Sequence, residues 1–256
     1  MSFTVEYLQN MLLIFVRITS IISVAPIFGN RAVPNRVKAA ISLFLTIIMM
    51  NIVEYTAVSY TGIFGYSILI MKEAIVGLII GIGSGFCLYI LNYSGQFIDM
   101  ELGLSMAMEF DPTSNIQSTI TANFLSHLFI LFFLVSDMHY FVIDAINESY
   151  LRIPIGGAVL DGNLTEIIVK FINDYFVIAL RIALPIFACI FVINVVLGVL
   201  AKVAPQMNMF VIGIQLKIFV GLFVLFMVMG MLPGIVDFIF SEMREITNMF
   251  MKELAS

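Results

Sequence analysis

Three observations in the sequence predict an all-α, polytopic membrane-type fold. The chain is 61% hydrophobic and only 11% charged, with a mean hydropathy of +1.09, whereas a soluble domain carries about a quarter charged residues. The apolar residues gather into runs at 8–28, 37–53, 63–91, 119–146, 175–201 and 209–240. A helix that crosses a bilayer needs about 20 mostly apolar residues, so these runs predict six spans. Where polar residues return, helical periodicity shows: in SEMREITNMFMKELAS, Met243, Ile246, Phe250 and Leu254 form one stripe of an amphipathic C-terminal helix.

The connectors support this order. GNRAVPNRVK (29–38) is a turn, and Pro34 suits the first turn of the second helix. LRIPIGGAVLDGN (151–163) stops one helix, and Leu164 to Asp174 leads helically into the next apolar run. KVAPQMN (202–208) breaks the last two runs apart. Pro26, Pro185 and Pro233 lie within runs, where each is expected to kink or break a helix. No long linker separates a second domain. The start, MSFTVEYLQN, lacks a positive region and carries Glu6, so it does not read as a cleaved signal peptide.

Charge excludes some functions and raises a puzzle. A formal net charge of −5 with no basic run speaks against nucleic-acid binding. Cys87 and Cys189 lie inside apolar runs and read as small core hydrophobes. Arg17, Lys72, Glu73, Arg181 and Lys217 also fall within the runs. A charge at a helix centre costs roughly 2.5–3.5 kcal/mol on insertion scales, so these five are expected to be paired, to face water, or to pack against protein instead of lipid. Counting basic residues in alternate connectors sets Arg31, Arg36, Lys38 and Lys202 against Arg152, Lys170, Arg244 and Lys252, a tie that gives no orientation. From Ala74 to Leu151 there is no Lys or Arg, but Asp99, Glu101, Glu109, Asp111, Asp137, Asp144 and Glu148 all occur. That stretch is a solvated acidic face, or a surface meeting basic partners or lining a conduit.

The motifs point to packing more than to chemistry. GLIIGIGSG places Gly77, Gly81 and Gly85 on one helix face, the spacing that lets two backbones approach. Phe86 and the lack of a preceding strand rule out a dinucleotide loop, and Ile82 rules out a rhomboid-like serine at Ser84. His127 and His139 are too far apart for a metal motif. No catalytic, cofactor-binding or metal-ligating residue is assigned. In NYSGQFIDMELGLSMAMEFDP (92–112), Phe97, Met100, Leu104 and Met108 form a helical stripe, with Gln96, Asp99 and Gly103 on another face. Asp111 as N-cap and Pro112 behind it can start the next helix. On physical grounds alone, a helix–loop–helix corner with methionine filling gaps is the plainer reading.

Four stretches carry a resemblance: RITSIISVAPIFGNRAVPNRVKAAISL (17–43), GQFIDMELGLSMAMEFDPTSNIQ (95–117), FLVSDMHYFVIDAINESYLRIPIG (133–156) and ALRIALPIFACIFVINVVLGVLAKVAPQMNMFVIGIQLKIFVGL (179–222). In this order they resemble the FliR family of flagellar type III export-gate subunits. The resemblance implies one helical unit over 1–256, with N-terminal hairpins in 1–150 and a C-terminal hairpin and amphipathic tail in 151–256. It implies kinked hairpins packed in a spiral, hetero-oligomeric channel with FliP-type and FliQ-type subunits, near FlhB-type and FlhA-type components. Unfolded flagellar proteins would pass through it, at the inner membrane in the basal body. It also implies a plug loop near 103–117, in which Leu104, Met106, Met108 and Phe110 form an apolar seal and Asp111 and Pro112 turn the chain back. Glu109 and Ile214-Gln215 depart from the family pattern. Two other readings stand beside this one: the injectisome counterpart, and a small-molecule secondary transporter whose buried charges form a coupling site.

Overall fold

The computed structural model describes residues 5–30, 32–53, 60, 62–107, 109–111, 116–159 and 164–255. Eight α-helices carry the described residues: α1 Val5–Val24, α2 Asn35–Met49, α3 Gly62–Leu102, α4 Ile120–Val135, α5 Met138–Arg152, α6 Leu164–Val203, α7 Met209–Met229 and α8 Leu232–Ala255. Between α3 and α4 lie a 3₁₀ turn at Leu104–Ala107 and a short antiparallel ribbon of β1 (Glu109–Asp111) and β2 (Ile116–Ser118). Among the described residues the architecture is all-helical apart from that ribbon.

The apolar runs and the helices differ where composition hides a stop. Four helices (α1, α3, α6 and α7) are long and apolar enough to cross a membrane, and the bent pair α4–α5 makes a fifth if counted as one. Among the described residues the spans thus number four or five, not the six expected. The run at 37–53 yields α2, whose 15 residues fall short of a span. The run at 119–146 breaks at Asp137, which adopts φ 56°, and the two helices diverge by 71°. Aspartate is among the few side chains that tolerate this left-handed conformation. The run at 209–240 ends at Met229, and Pro233 sits in the first turn of α8, where its missing N–H costs nothing. Pro185, by contrast, lies inside an uninterrupted α6. At 41 and 40 residues, α3 and α6 are roughly 60 Å long, about twice the hydrocarbon thickness of a bilayer.

The chain divides into two compact units. The first comprises Met1–Cys87, Phe133–Ile172 and Phe240–Ser256. Its core begins with α1, where Ile14, Ile18, Ile21 and Ile22 recur at helical spacing and are buried. Val76 and Ile80 of α3, Ile146 and Tyr150 of α5, and Met251 and Leu254 of α8 pack into it. All four residues of the C-terminal stripe, Met243, Ile246, Phe250 and Leu254, are buried here. Close approach of α1 to α3 rests on two of the stripe glycines. A Cβ on Gly77 would overlap the Arg17 carbonyl and come within 2.7 Å of Ser20 Cβ, and one on Gly81 would come within 2.9 Å of the Ile21 carbonyl. Gly83 faces the Phe250 ring. Past α1 the chain turns sharply: Ile27 has φ 64°, Phe28 N–H donates to the Pro26 carbonyl at 2.7 Å, and Lys38 Nζ ties the Gly29 carbonyl at 2.9 Å. A γ-turn of this hand is rare and strained.

The second unit comprises Leu88–Phe132 and Asn173–Ile239. Tyr93 is its aromatic hub, with ring centroids 5.0 Å from Phe97, 5.6 Å from Tyr175 and 5.3 Å from Phe176. Tyr175 OH also donates to the Tyr89 carbonyl at 3.1 Å, joining α3 to α6. Phe219, Phe223 and Phe226 of α7 are exposed.

Replacing Gly77 by valine is expected to lower stability by about 1–3 kcal/mol, the usual effect of forcing volume into a packed contact. Gly198 lies in α6 with open space around it, so Gly198→Ala is expected to be neutral or to stabilise by about 0.5–1 kcal/mol. Thermal unfolding of the detergent-solubilised protein reads both.

Candidate functional site

Two polar constellations stand out in this apolar molecule. The first lies in the first unit, where Arg17 of α1 and Glu73 of α3 are both 0% exposed. Arg17 Nε donates to Glu73 Oε2 at 2.5 Å and Nη2 to Glu73 Oε1 at 3.0 Å, a bidentate pair. Nη1 donates to the carbonyls of Ser149 at 3.1 Å and Ile153 at 2.8 Å, which close the last turn of α5. Glu73 Oε1 also accepts from Gly156 N–H at 2.8 Å. The guanidinium lies 4.4 Å from the Tyr150 ring centroid, and the Tyr150 hydroxyl returns to the Ile14 carbonyl at 3.0 Å. One ion pair thus binds α1, α3, the end of α5 and the loop after it.

The other charges that the sequence singles out do not join this node. Lys72 and Lys217 are half-buried and Arg181 is exposed, and none of the three has an ion-pair partner among the described residues. Gly85, the last of the stripe glycines, is buried in α3. His127 Nδ1 lies 2.7 Å from the Asn123 carbonyl within its own helix. His139 Nδ1 is buried with no hydrogen-bond partner among the described residues.

The second constellation frames the segment between α3 and α4, in the second unit. α3 ends at Leu102, and Gly103 takes φ 79°, the left-handed step that commonly follows a helix C-terminus. The expected stripe Phe97–Met100–Leu104–Met108 is therefore not one helix face. Phe97 and Met100 are helical, Leu104 opens the 3₁₀ turn, and Met108 lies outside the described residues. Met106 falls in the 3₁₀ turn, and Phe110 and Asp111 lie in β1, paired with Gln117 and Ile116. Asp111 accordingly does not cap the next helix, which begins nine residues later at Ile120, and Pro112 lies outside the described residues. The ribbon wins because antiparallel pairing satisfies backbone groups on both arms before the chain reaches a helix start.

Sequence reasoning placed Asp99 on a polar face but missed its role. Asp99 is 0% exposed, its Oδ2 accepts from Thr121 N–H at 2.7 Å and its Oδ1 from Thr121 Oγ1 at 2.5 Å. Gly95 was also missed: a Cβ there would overlap the backbone of Ala122. The available signal was a glycine and an aspartate one turn apart in an apolar helix, with small and hydroxylated residues at the start of the next. Tyr150, missed as the ring beneath Arg17, carried no such signal.

Removing one partner of the buried pair is expected to be far worse than removing both. Glu73→Leu leaves a buried guanidinium uncompensated and is expected to cost about 3–5 kcal/mol. The double variant Arg17→Met, Glu73→Leu is expected to recover most of that loss. A double-mutant cycle on unfolding midpoints checks this; additive single effects would contradict the coupling.

The family model for bacterial export proteins, family 1, matches residues 8–243. The flagellar biosynthetic protein FliR of Pectobacterium carotovorum is 29% identical over 244 residues, covering 94% of this chain and 92% of its own length. That of Bacillus subtilis is 30% identical over 219 residues, covering 84% of each chain. That of Escherichia coli is 28% identical over 238 residues, covering 93% of this chain and 91% of its own. With α1, α3, α6 and α7 each long and apolar enough to cross a membrane and the match running through nearly all the helices, the chain belongs to the bacterial export proteins, family 1, the FliR family.

Proposed function

We propose that this chain is a structural and gating subunit of the flagellar type III protein export channel. In this reading it assembles with FliP-type and FliQ-type subunits, near FlhA-type and FlhB-type components, at the inner membrane within the basal body. Unfolded flagellar proteins pass through the channel it helps to form. The observation that carries the reading is the likeness to flagellar biosynthetic proteins along nearly the whole chain. Two structural features support it. The helices α6 and α7 leave large apolar side chains exposed, among them Phe191, Val199, Phe219 and Phe226, which neighbouring hairpins or lipid must cover. Lys72, Arg181 and Lys217, which have no ion-pair partner among the described residues, are in this reading met by sister subunits.

The gating role belongs to the segment near 103–117. Leu104, Met106, Met108 and Phe110 supply an apolar seal against ion leak, and Asp111 and Pro112 return the chain. Methionine and phenylalanine contacts are non-directional and adaptable, so a transiting polypeptide can displace them.

Deleting the gene is expected to abolish filament assembly and motility; export of hook and filament proteins at ordinary levels in the deletion strain would sink the reading. Replacing Met106, Met108 and Phe110 together by alanine is expected to raise the resting ion leak through the assembled gate about tenfold or more. Burial of even one such side chain is worth about 1.5–3 kcal/mol, enough to move a closed-to-open ratio by that factor. Resting conductance in the variant equal to that of the parent would remove the plug role.

A further inference from the structure

Asp99 is a buried carboxylate with no cation beside it: none of the ion pairs among the described residues includes it. Its partner is the start of α4. Thr121 is the second residue of α4, a position whose N–H is ordinarily satisfied by the side chain of the residue just before the helix. That residue, Thr119, is buried, and its hydroxyl has no hydrogen-bond partner among the described residues. The cap comes instead from α3, 22 residues earlier in the chain, through both Asp99 oxygens. The negative charge also meets the positive end of the α4 dipole, which explains how it is buried away from any basic side chain among the described residues.

The contacts around this cap hold both ends of the intervening segment. One turn before Asp99, Gly95 lets α3 touch the Ala122 backbone, where any Cβ would collide. At the other end, the Leu102 side chain fills the space that a Cβ on Gly221 would need, so the last residue of α3 is seated on α7. Entry and exit of the segment 103–119 are thereby fixed within one unit.

We infer that Asp99 is a positioning residue for the base of the segment 103–119. By capping α4 from α3 it sets where the chain leaves and re-enters the helical frame, and so, in the plug reading, keeps the seal in register. The inference rests on the plug reading above.

The test uses the assembled export gate with the full chain, in four variants: Asp99→Ala, Asp99→Asn, Thr121→Val and Thr121→Ser. Amide hydrogen exchange at 119–123 reads the cap, and resting ion conductance reads the seal. Loss of a charge-assisted pair of hydrogen bonds is expected to raise local opening in Asp99→Ala about ten- to a hundredfold, with leak rising alongside. Thr121→Ser keeps both donors and is expected to match the parent in both readouts, a rescue that a mere volume effect would not give. Unchanged exchange in Asp99→Ala overturns the cap. Raised exchange with parental conductance, while the Met106, Met108 and Phe110 alanine variant leaks, overturns the positioning role and leaves the plug reading standing. If that alanine variant does not leak either, the plug reading fails and the positioning role falls with it. Asp99→Asn keeps one acceptor and Thr121→Val keeps the backbone N–H donor, so each is expected to raise exchange less than Asp99→Ala does. Should Asp99→Ala not assemble, Asp99→Leu, which keeps the volume and removes both acceptors, is measured in its place: raised exchange with raised leak supports the positioning role, and parental values in either readout overturn it.

Discussion

A guanidinium with no solvent contact persists in an apolar core only if its N–H groups and its charge are answered by protein. Arg17 meets that condition through two oxygens of Glu73 and the backbone carbonyls that end α5. The pair is a constraint before it is a stabiliser, because desolvating both ions offsets much of their attraction. It selects one arrangement: α1 must lie against α3 close enough for a bidentate contact, and α5 must end where its carbonyls point at the guanidinium. Gly77 and Gly81 make the first condition attainable, since a side chain at either would push α1 away. Packing and ion pairing in the first unit therefore depend on each other.

The second unit solves a similar problem with one charge instead of two. Asp99 has no basic partner among the described residues, and the partial positive charge at the start of α4 takes that part. Both units thus use a buried carboxylate to lock one element onto another, and in both a glycine nearby permits the close approach. Polar groups in an apolar environment are costly when unpaired and directional when paired. Few of them suffice to specify how otherwise interchangeable greasy helices meet.

The relation of these helices to a membrane follows from length. Two helices of about 40 residues exceed a hydrocarbon layer by about a factor of two, so part of each must be surrounded by something other than acyl chains. Exposed aromatic side chains along α7 complete the same account.

Composition and periodicity alone made the all-helical class legible, together with the C-terminal stripe and the close-packing face at Gly77 and Gly81. Each depends on side chains acting within one turn or two of their own helix. Arg17 and Glu73 could be singled out as charges needing partners, because desolvation is a property of the residue and its run. That they partner each other was a tertiary decision, since 56 residues separate them and Lys72, beside Glu73, lay far nearer in sequence. Tertiary structure also decided the break at Asp137, the ribbon at 109–118 in place of a helix start at Asp111, and the capping of α4 from α3. Local sequence permits several endings for a helix; which one is taken depends on what the remote chain offers the free backbone groups, and that offer exists only once the fold has formed.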